Sequence, residues 1–244
     1  MKSTPIFLAA RWHYLAMLNY AVDPALLATR VPPGTELDVF GGRAYLSVVG
    51  FRFLRTRVLG LAIPLHQDFD EINLRFYVRR RAEDGWRRGV AFVRELVPKP
   101  AIAAVARLGF CEPYTAVRMS HDVRDDGEGV ERRVSVAYGW RDKMGECAIA
   151  LRTHGDPALP AAGSAEQFIA EHYWGYGIDR KRRGLEYAVR HDPWRLWTGR
   201  EATFTGNAAR MYGPELADAI TGTPDSAFLA EGSPITVSWA NIIV

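Results

Sequence analysis

The stretch that most constrains this chain is Phe69 to Val78, FDEINLRFYV. Apolar side chains recur there at every second position: Ile72, Leu74, Phe76 and Val78 share one face of an extended strand, and Glu71, Asn73, Arg75 and Tyr77 share the other. On an open sheet such a polar face is the wet side, whereas inside a closed barrel it lines a cavity. The pattern is compatible with both. At roughly 3.3 Å per residue Glu71 and Arg75 stand about 13 Å apart along the strand, too far for a tight ion pair, so each needs its own partner.

With 244 residues, 48% hydrophobic and 24% charged, the chain has an ordinary globular composition and length enough for one large domain or two. The formal net charge of +3 rests on arginine, since only four of the 31 basic residues are lysine, at Lys2, Lys99, Lys143 and Lys181. Basic residues are scattered, and the clusters Arg79-Arg80-Arg81 and Arg180-Lys181-Arg182-Arg183 are short. Without a helix-turn-helix, zinc-finger or RNA-recognition pattern they read as solvated loop charge, with no nucleic-acid partner. Cys111 and Cys147 match no metal or redox spacing and read as reduced structural thiols. No signal-peptide pattern and no apolar run of about 18 residues is present, so the chain is expected to be cytoplasmic, with no membrane contact.

In chain order, residues 6–22 are apolar and aromatic and tilt toward strand. Asp23 and Pro24 open a short helix over 25–30, which Pro32-Pro33-Gly34 ends. Residues 35–40 and 44–54 read as a hairpin across Gly41-Gly42, and 59–69 as a loop leading to the 69–78 strand, which returns through Glu83-Asp84-Gly85 as 89–97. An Ala-rich helix over 101–108 is closed by Gly109. A meander follows, with strands at 115–124, 130–141 and 147–154. Ser164 and Gln167 form a capping pattern for a helix over 165–174. Strands at 185–191 and 196–205, helical pieces near 208–220 and a final strand over 234–244 complete the chain. Roughly nine or ten strands with three or four short helices predict a mainly β barrel or sandwich.

The ordered series NYAVDPALL (19–27), FGGRAYLSVVGF (40–51), FDEINLRFYV, GVAFVREL, ARLGFCEPY (106–114) and YAVRHDPW (187–194) resembles a family of uncharacterised bacterial proteins of the acetoacetate decarboxylase-like superfamily. The resemblance covers nearly the whole chain. It implies a single domain over 1–244, a closed antiparallel β-barrel around a central cavity with a few short peripheral helices, and a homo-oligomer. The decarboxylase works through a lysine of lowered pKa that forms a Schiff base with its substrate. Its lysines follow a Gly-aromatic-Pro turn. Here the matching turn is Gly109-Phe110-Cys111-Glu112-Pro113, and Tyr114-Thr115 follow it, so the family's nucleophile is missing. Glu71 matches the carboxylate that the fold family places beside the reacting carbon.

The resemblance makes Glu71 a cavity acid and Arg75 a carboxylate anchor, against the alternative of a solvated face with cross-strand ion pairs. Tyr114 either donates a hydrogen bond to a ligand carbonyl or packs at the rim. Arg107 either holds a ligand carboxylate or is an exposed helix-end cation. His66 and His191 sit at strand ends, where acid/base groups are often placed and where structural histidines also occur. Glu95 and Trp194 either line the cavity or pack. None of the six histidines forms an HxH or HExxH pair, so no metal site is expected. Without a Gly-rich phosphate loop or a GxSxG elbow, no cofactor and no serine nucleophile is expected. The expected function is binding of a small organic acid or carbonyl compound, with non-Schiff-base lyase, isomerase or hydrolase chemistry. The alternative is a non-catalytic ligand-sensing or assembly module.

Overall fold

The computed structural model describes residues 5–104, 113–143 and 145–243. Its strands, in chain order, are β1 (Ile6–Val22), β2 (Glu36–Leu37), β3 (Ala44–Val58), β4 (Phe69–Ala82), β5 (Gly85–Val97), β6 (Tyr114–Ala116), β7 (Arg118–Asp126), β8 (Arg133–Asp142) and β9 (Gly145–Arg152). The second half adds β10 (Trp174–Ile178), β11 (Gly184–His191), β12 (Leu196–Thr198), β13 (Arg200–Gly206), β14 (Ser226–Ala230), β15 (Pro234–Ser238) and β16 (Asn241–Ile242). The ring β1-β15-β11-β10-β5-β4-β3 closes when β3 pairs with β1, giving a barrel of seven strands. A separate sheet, β13-β9-β8-β7, contains the expected meander.

The two faces of β4 are both buried, for different reasons. Ile72, Leu74, Phe76 and Val78 point out of the barrel and form one core with Val134, Val136, Tyr138, Trp140, Ile149 and Leu151 of the second sheet. Glu71, Asn73, Arg75 and Tyr77 point into the barrel, and each is less than a tenth exposed. Inside, Met17, Val49, Phe51, Phe53, Phe69 and Val90 form a second core.

Bulges decide which side chains reach the interior. Leu74 pairs with Arg94 but Arg75 pairs with Phe92, so Val93 is an extra residue in β5. That extra residue lets Phe92 and Glu95, three positions apart, both face inward, which a regular strand forbids. A second bulge in β1, between His13 and Ala16, turns both Trp12 and Met17 inward, with Tyr14 in left-handed backbone at φ 49°. The Tyr14 carbonyl freed there accepts from the Tyr138 hydroxyl at 2.8 Å, tying the second sheet to the barrel.

Several sequence expectations change. The barrel is mixed rather than purely antiparallel, because β10 runs parallel to β5; β6, beside the ring, also pairs parallel to β5. The helix over 165–174 stops at Ala170, and Trp174–Ile178 is a strand instead. The aromatic run His172-Tyr173-Trp174 suits a strand, and the open edge of β5 draws it in, with the Tyr173 N–H donating to the Arg88 carbonyl at 3.2 Å. Gly41 and Gly42 do make a turn at φ 60° and 79°, but its first arm pairs elsewhere: Glu36 and Leu37 lie against Arg79 and Val78 of β4. Residues 25–30 form two 3₁₀ turns rather than one helix, capped as expected by the Asp23 carboxylate. The helical residues 101–104 agree with the Ala-rich helix; the rest of it, with Arg107 and Cys111, lies outside the described residues. Cys147 is a buried free thiol. Among the described residues no helix is long and apolar enough to cross a membrane.

Candidate functional site

The barrel encloses a cavity of about 190 Å³, walled largely by aromatic and aliphatic side chains. Its polar lining comes from few positions, among them Glu71, Asn73, Arg75, Glu95, Tyr114 and His172. β4 runs its length. The 59–68 loop, which supplies Ile63 and His66 beside Phe69, is largely exposed and marks the mouth, whereas the buried end of the row, toward Tyr77, marks the floor. The helix Ala165–Ala170 plugs the floor, its Phe168 packing on Phe40, Tyr45 and Tyr77.

Glu71 is 3% exposed. Its Oε1 accepts from Asn73 Nδ2 at 3.2 Å and its Oε2 from the Tyr114 hydroxyl at 3.1 Å. β6 delivers Tyr114 to that position by pairing alongside Glu95, which itself faces Asn73 from β5. Glu71, Asn73, Glu95 and Tyr114 therefore form one group halfway down the cavity.

Arg75 lies deeper. Its guanidinium is buried, donates to Met17 Sδ at 3.6 Å and lies 5.6 Å from the Tyr77 ring centroid. Its Nε has no hydrogen-bond partner, and among the described residues no carboxylate lies within ion-pair distance. Tyr77 beneath it is fixed by a polar chain. Ser47 Oγ donates to Asn19 Oδ1 at 2.7 Å, so the Tyr77 hydroxyl, 2.7 Å from Ser47, is the donor of that second bond.

The sequence reading passed over His172, in the turn between the 165–170 helix and β10. It lines the cavity wall and its ring packs on Tyr77 with centroids 4.7 Å apart. Nε2 lies 3.3 Å from Asp38 Oδ2 and 3.5 Å from Arg88 Nη2, and Arg88 Nε donates to the same Asp38 oxygen at 2.6 Å. Because the carboxylate can only accept and is the nearer group, the imidazole hydrogen is assigned to Nε2. Burial pushes the His172 imidazole down to about 4, against the pull of Asp38 and with help from the charges of Arg88 and Arg75. Burial also acts to raise Asp38, but the hydrogen bonds from His172 and Arg88 outweigh it and hold the carboxyl below its ordinary range. Nδ1 has no partner. An aromatic run after a capped helix is the signal that marks this turn, and it was absorbed into the helix.

The other sequence candidates divide. His191 ends β11 and stacks on Trp194 at 4.1 Å, and burial, then the Arg75 charge, lowers its pKa against the opposing bond to the Asp192 carbonyl. Trp194 is itself held by donation from Nε1 to Ser233 Oγ at 3.0 Å. Both line the cavity, as does Trp12 from β1. His66 sits at the mouth with Nδ1 2.9 Å from the Pro64 carbonyl. None of the described cavity-lining residues is a lysine, and no group of His, Cys, Asp and Glu suited to a metal occurs among the described residues.

The family model for DUF2071, described as an uncharacterized conserved protein, matches residues 9–234. The chain belongs to the DUF2071 family. This DUF2071 chain is 28% identical over 212 residues to the uncharacterized protein YqjF of Bacillus subtilis (strain 168), covering 85% of itself and 82% of YqjF. It superposes on acetoacetate decarboxylase from Legionella pneumophila with a TM-score of 0.66 at 12% identity, over 100% of this chain and 90% of that one. An acetoacetate decarboxylase-like enzyme from Sphingomonas wittichii RW1 gives 0.66 at 14%, over 98% and 94%. The enduracididine biosynthesis enzyme MppR, solved with pyruvate, gives 0.63 at 12%, over 99% and 91%. At these identities the likeness is one of fold: the DUF2071 chain has the acetoacetate decarboxylase-like architecture.

Proposed function

We propose that this DUF2071 protein binds a small organic acid in the barrel cavity, with the acid's carboxylate on Arg75. The observation that carries the reading is the buried guanidinium with no carboxylate in ion-pair range among the described residues. A cation so placed is costly unless something anionic completes it, and a guanidinium fork suits a carboxylate. The aromatic walls favour a compact, partly apolar body. The volume of about 190 Å³ exceeds the 150 Å³ or so that admits benzene. MppR, with the same architecture, holds pyruvate, which supports an acid of that chemical class.

Glu71, oriented by Tyr114 and Asn73, lies nearer the mouth than Arg75 and stands beside the body of an acid so anchored. Its role in this reading is proton transfer on an enolisable carbonyl, or activation of water, with Tyr114 donating to a carbonyl oxygen. The chemistry does not pass through an imine, in keeping with a lining free of lysine among the described residues. A thermal-shift screen of small keto, hydroxy and dicarboxylic acids tests it on wild type, Arg75→Met and Glu71→Gln. At 100 times its dissociation constant a ligand stabilises by about 2.7 kcal/mol. The expected result is a shift lost in Arg75→Met, and turnover of that acid lost in Glu71→Gln. Retention of the shift in Arg75→Met, or no stabilising acid, overturns the reading. Binding without turnover in wild type assigns the protein to the sensing class instead.

A further inference from the structure

We infer that the ligand carries a hydroxyl or enol on the carbon next to its carboxylate, and that His172 is the residue that recognises it. This rests on the carboxylate of the proposed ligand lying on Arg75. Arg75 and His172 both line the cavity, and each carries a covered polar atom without a partner, Arg75 Nε and His172 Nδ1, which a ligand meets by displacing what covers them. They border the same ring: Arg75 lies 5.6 Å from the Tyr77 centroid and His172 4.7 Å. The two atoms are complementary in sense. Nε is a donor, and with the imidazole hydrogen assigned to Nε2 by the acceptor-only Asp38 carboxylate, Nδ1 is an acceptor. A donor cation and an acceptor on two residues packed against one ring suit a ligand with an anionic acceptor and, within the span of that ring, an O–H donor. That is a 2-hydroxy acid, or the enol of a 2-oxo acid. A simple carboxylate satisfies Arg75 and leaves Nδ1 buried and unpaired, which is penalised.

Asp38 and Arg88 are the positioning residues of this arrangement. His172 is 2% exposed at its side chain and Asp38 5%, so the pair is sealed from solvent, and the carboxylate favours the tautomer with its hydrogen on Nε2. Arg88 in turn holds Asp38 from the rim of the plug and lies over the Phe168 ring at 4.6 Å.

The test uses pairs of acids differing by one hydroxyl, lactate against propionate and mandelate against phenylacetate, measured by calorimetry and thermal shift. The proteins are wild type, His172→Gln, His172→Asn and Arg75→Met. Glutamine keeps a donor toward Asp38 and removes the acceptor at Nδ1; asparagine keeps a polar atom near Nδ1. Wild type is expected to prefer the hydroxy acid by roughly fivefold to tenfold, the worth of one buried hydrogen bond. In His172→Gln the preference falls to near one while the deoxy acid binds as before, and His172→Asn recovers part of it. Binding without hydroxyl preference in wild type overturns the inference alone. So does a preference that persists in His172→Gln. Binding that ignores Arg75→Met, or no binding of any of these acids to wild type, overturns the Arg75 reading and this one with it.

Discussion

Arg75→Met separates a residue kept for binding from one kept for folding, because the two roles predict opposite signs. In the ligand-free protein the guanidinium is buried, and its described contacts are a long donation to Met17 Sδ and the Tyr77 ring at 5.6 Å. Those contacts contribute on the order of 1 to 2 kcal/mol. Against them stands the desolvation of an arginine without a counterion, several kcal/mol even after relaxation. Methionine retains much of the apolar stem and adapts to the space left. The net expectation is a gain of roughly 1 to 3 kcal/mol, which for a chain of this size raises Tm by roughly 2 to 12 °C. Differential scanning calorimetry in the absence of small acids measures it directly. A fall in Tm means that Arg75 stabilises the barrel without a ligand and that its missing counterion is no sign of an anion site.

His172 gives a pH signature. Its folded pKa of about 4 lies below the ordinary 6.5, so its contribution is intact at neutral pH. As pH falls from about 6.5 toward 4 the unfolded chain takes up a proton that the folded one refuses, and stability drops by up to about 3 kcal/mol. His13 and His191 are lowered too and act in the same sense, so the measured quantity is the difference between wild-type and His172→Gln urea curves across that window; parallel curves refute it. Glu186 is buried and accepts from Arg80, Arg87 and the Tyr176 hydroxyl, so Glu186→Ala should cost about 1 to 3 kcal/mol by urea denaturation, since Arg80 and the hydroxyl lose this acceptor while Arg87 keeps its bidentate pair with Asp84. At Gly175 a Cβ falls within the ring of its cross-strand neighbour Tyr187, which lines the cavity. Gly175→Ala should therefore destabilise by about 1 to 3 kcal/mol and weaken acid binding together, and an unchanged Tm refutes the packing.

The alternation in Phe69 to Val78 was enough to mark a strand with two unlike faces, and the meander that became β7 to β9 was legible from its turns. Which face of β4 is wet was not legible, because the answer is neither. One face is buried by the second sheet and the other by the barrel, and no local pattern records what covers a strand. Phe92 and Trp12 were hidden by a different cause. Each reaches the cavity across a bulge that resets strand parity, and the residues at both bulges, Val93 and Tyr14, are good strand formers with nothing in their identity to announce an irregularity. The parallel pairing of β10 depends on the exposed edge of β5, which is a property of the assembled barrel. His172 was lost with it, since the segment was read by its helix cap alone.

The position of the second sheet explains how a barrel this size tolerates a polar row through its middle. A strand whose inner face carries Glu71, Asn73 and Arg75 gives up the burial that normally holds it in place. Here that burial is moved outside: Ile72, Leu74 and Phe76 are fully covered by the second sheet, and each such side chain is worth about 1.5 to 3 kcal/mol when buried. β4 is thus anchored by the core on its outer face, and the interior is released from most of its structural duty. Substitutions at the two faces should diverge accordingly. Changes on the outer row should lower stability with little effect on ligand preference, whereas changes on the inner row should alter binding at nearly constant or improved stability. On this division the inner row is free to vary while the outer row maintains the fold.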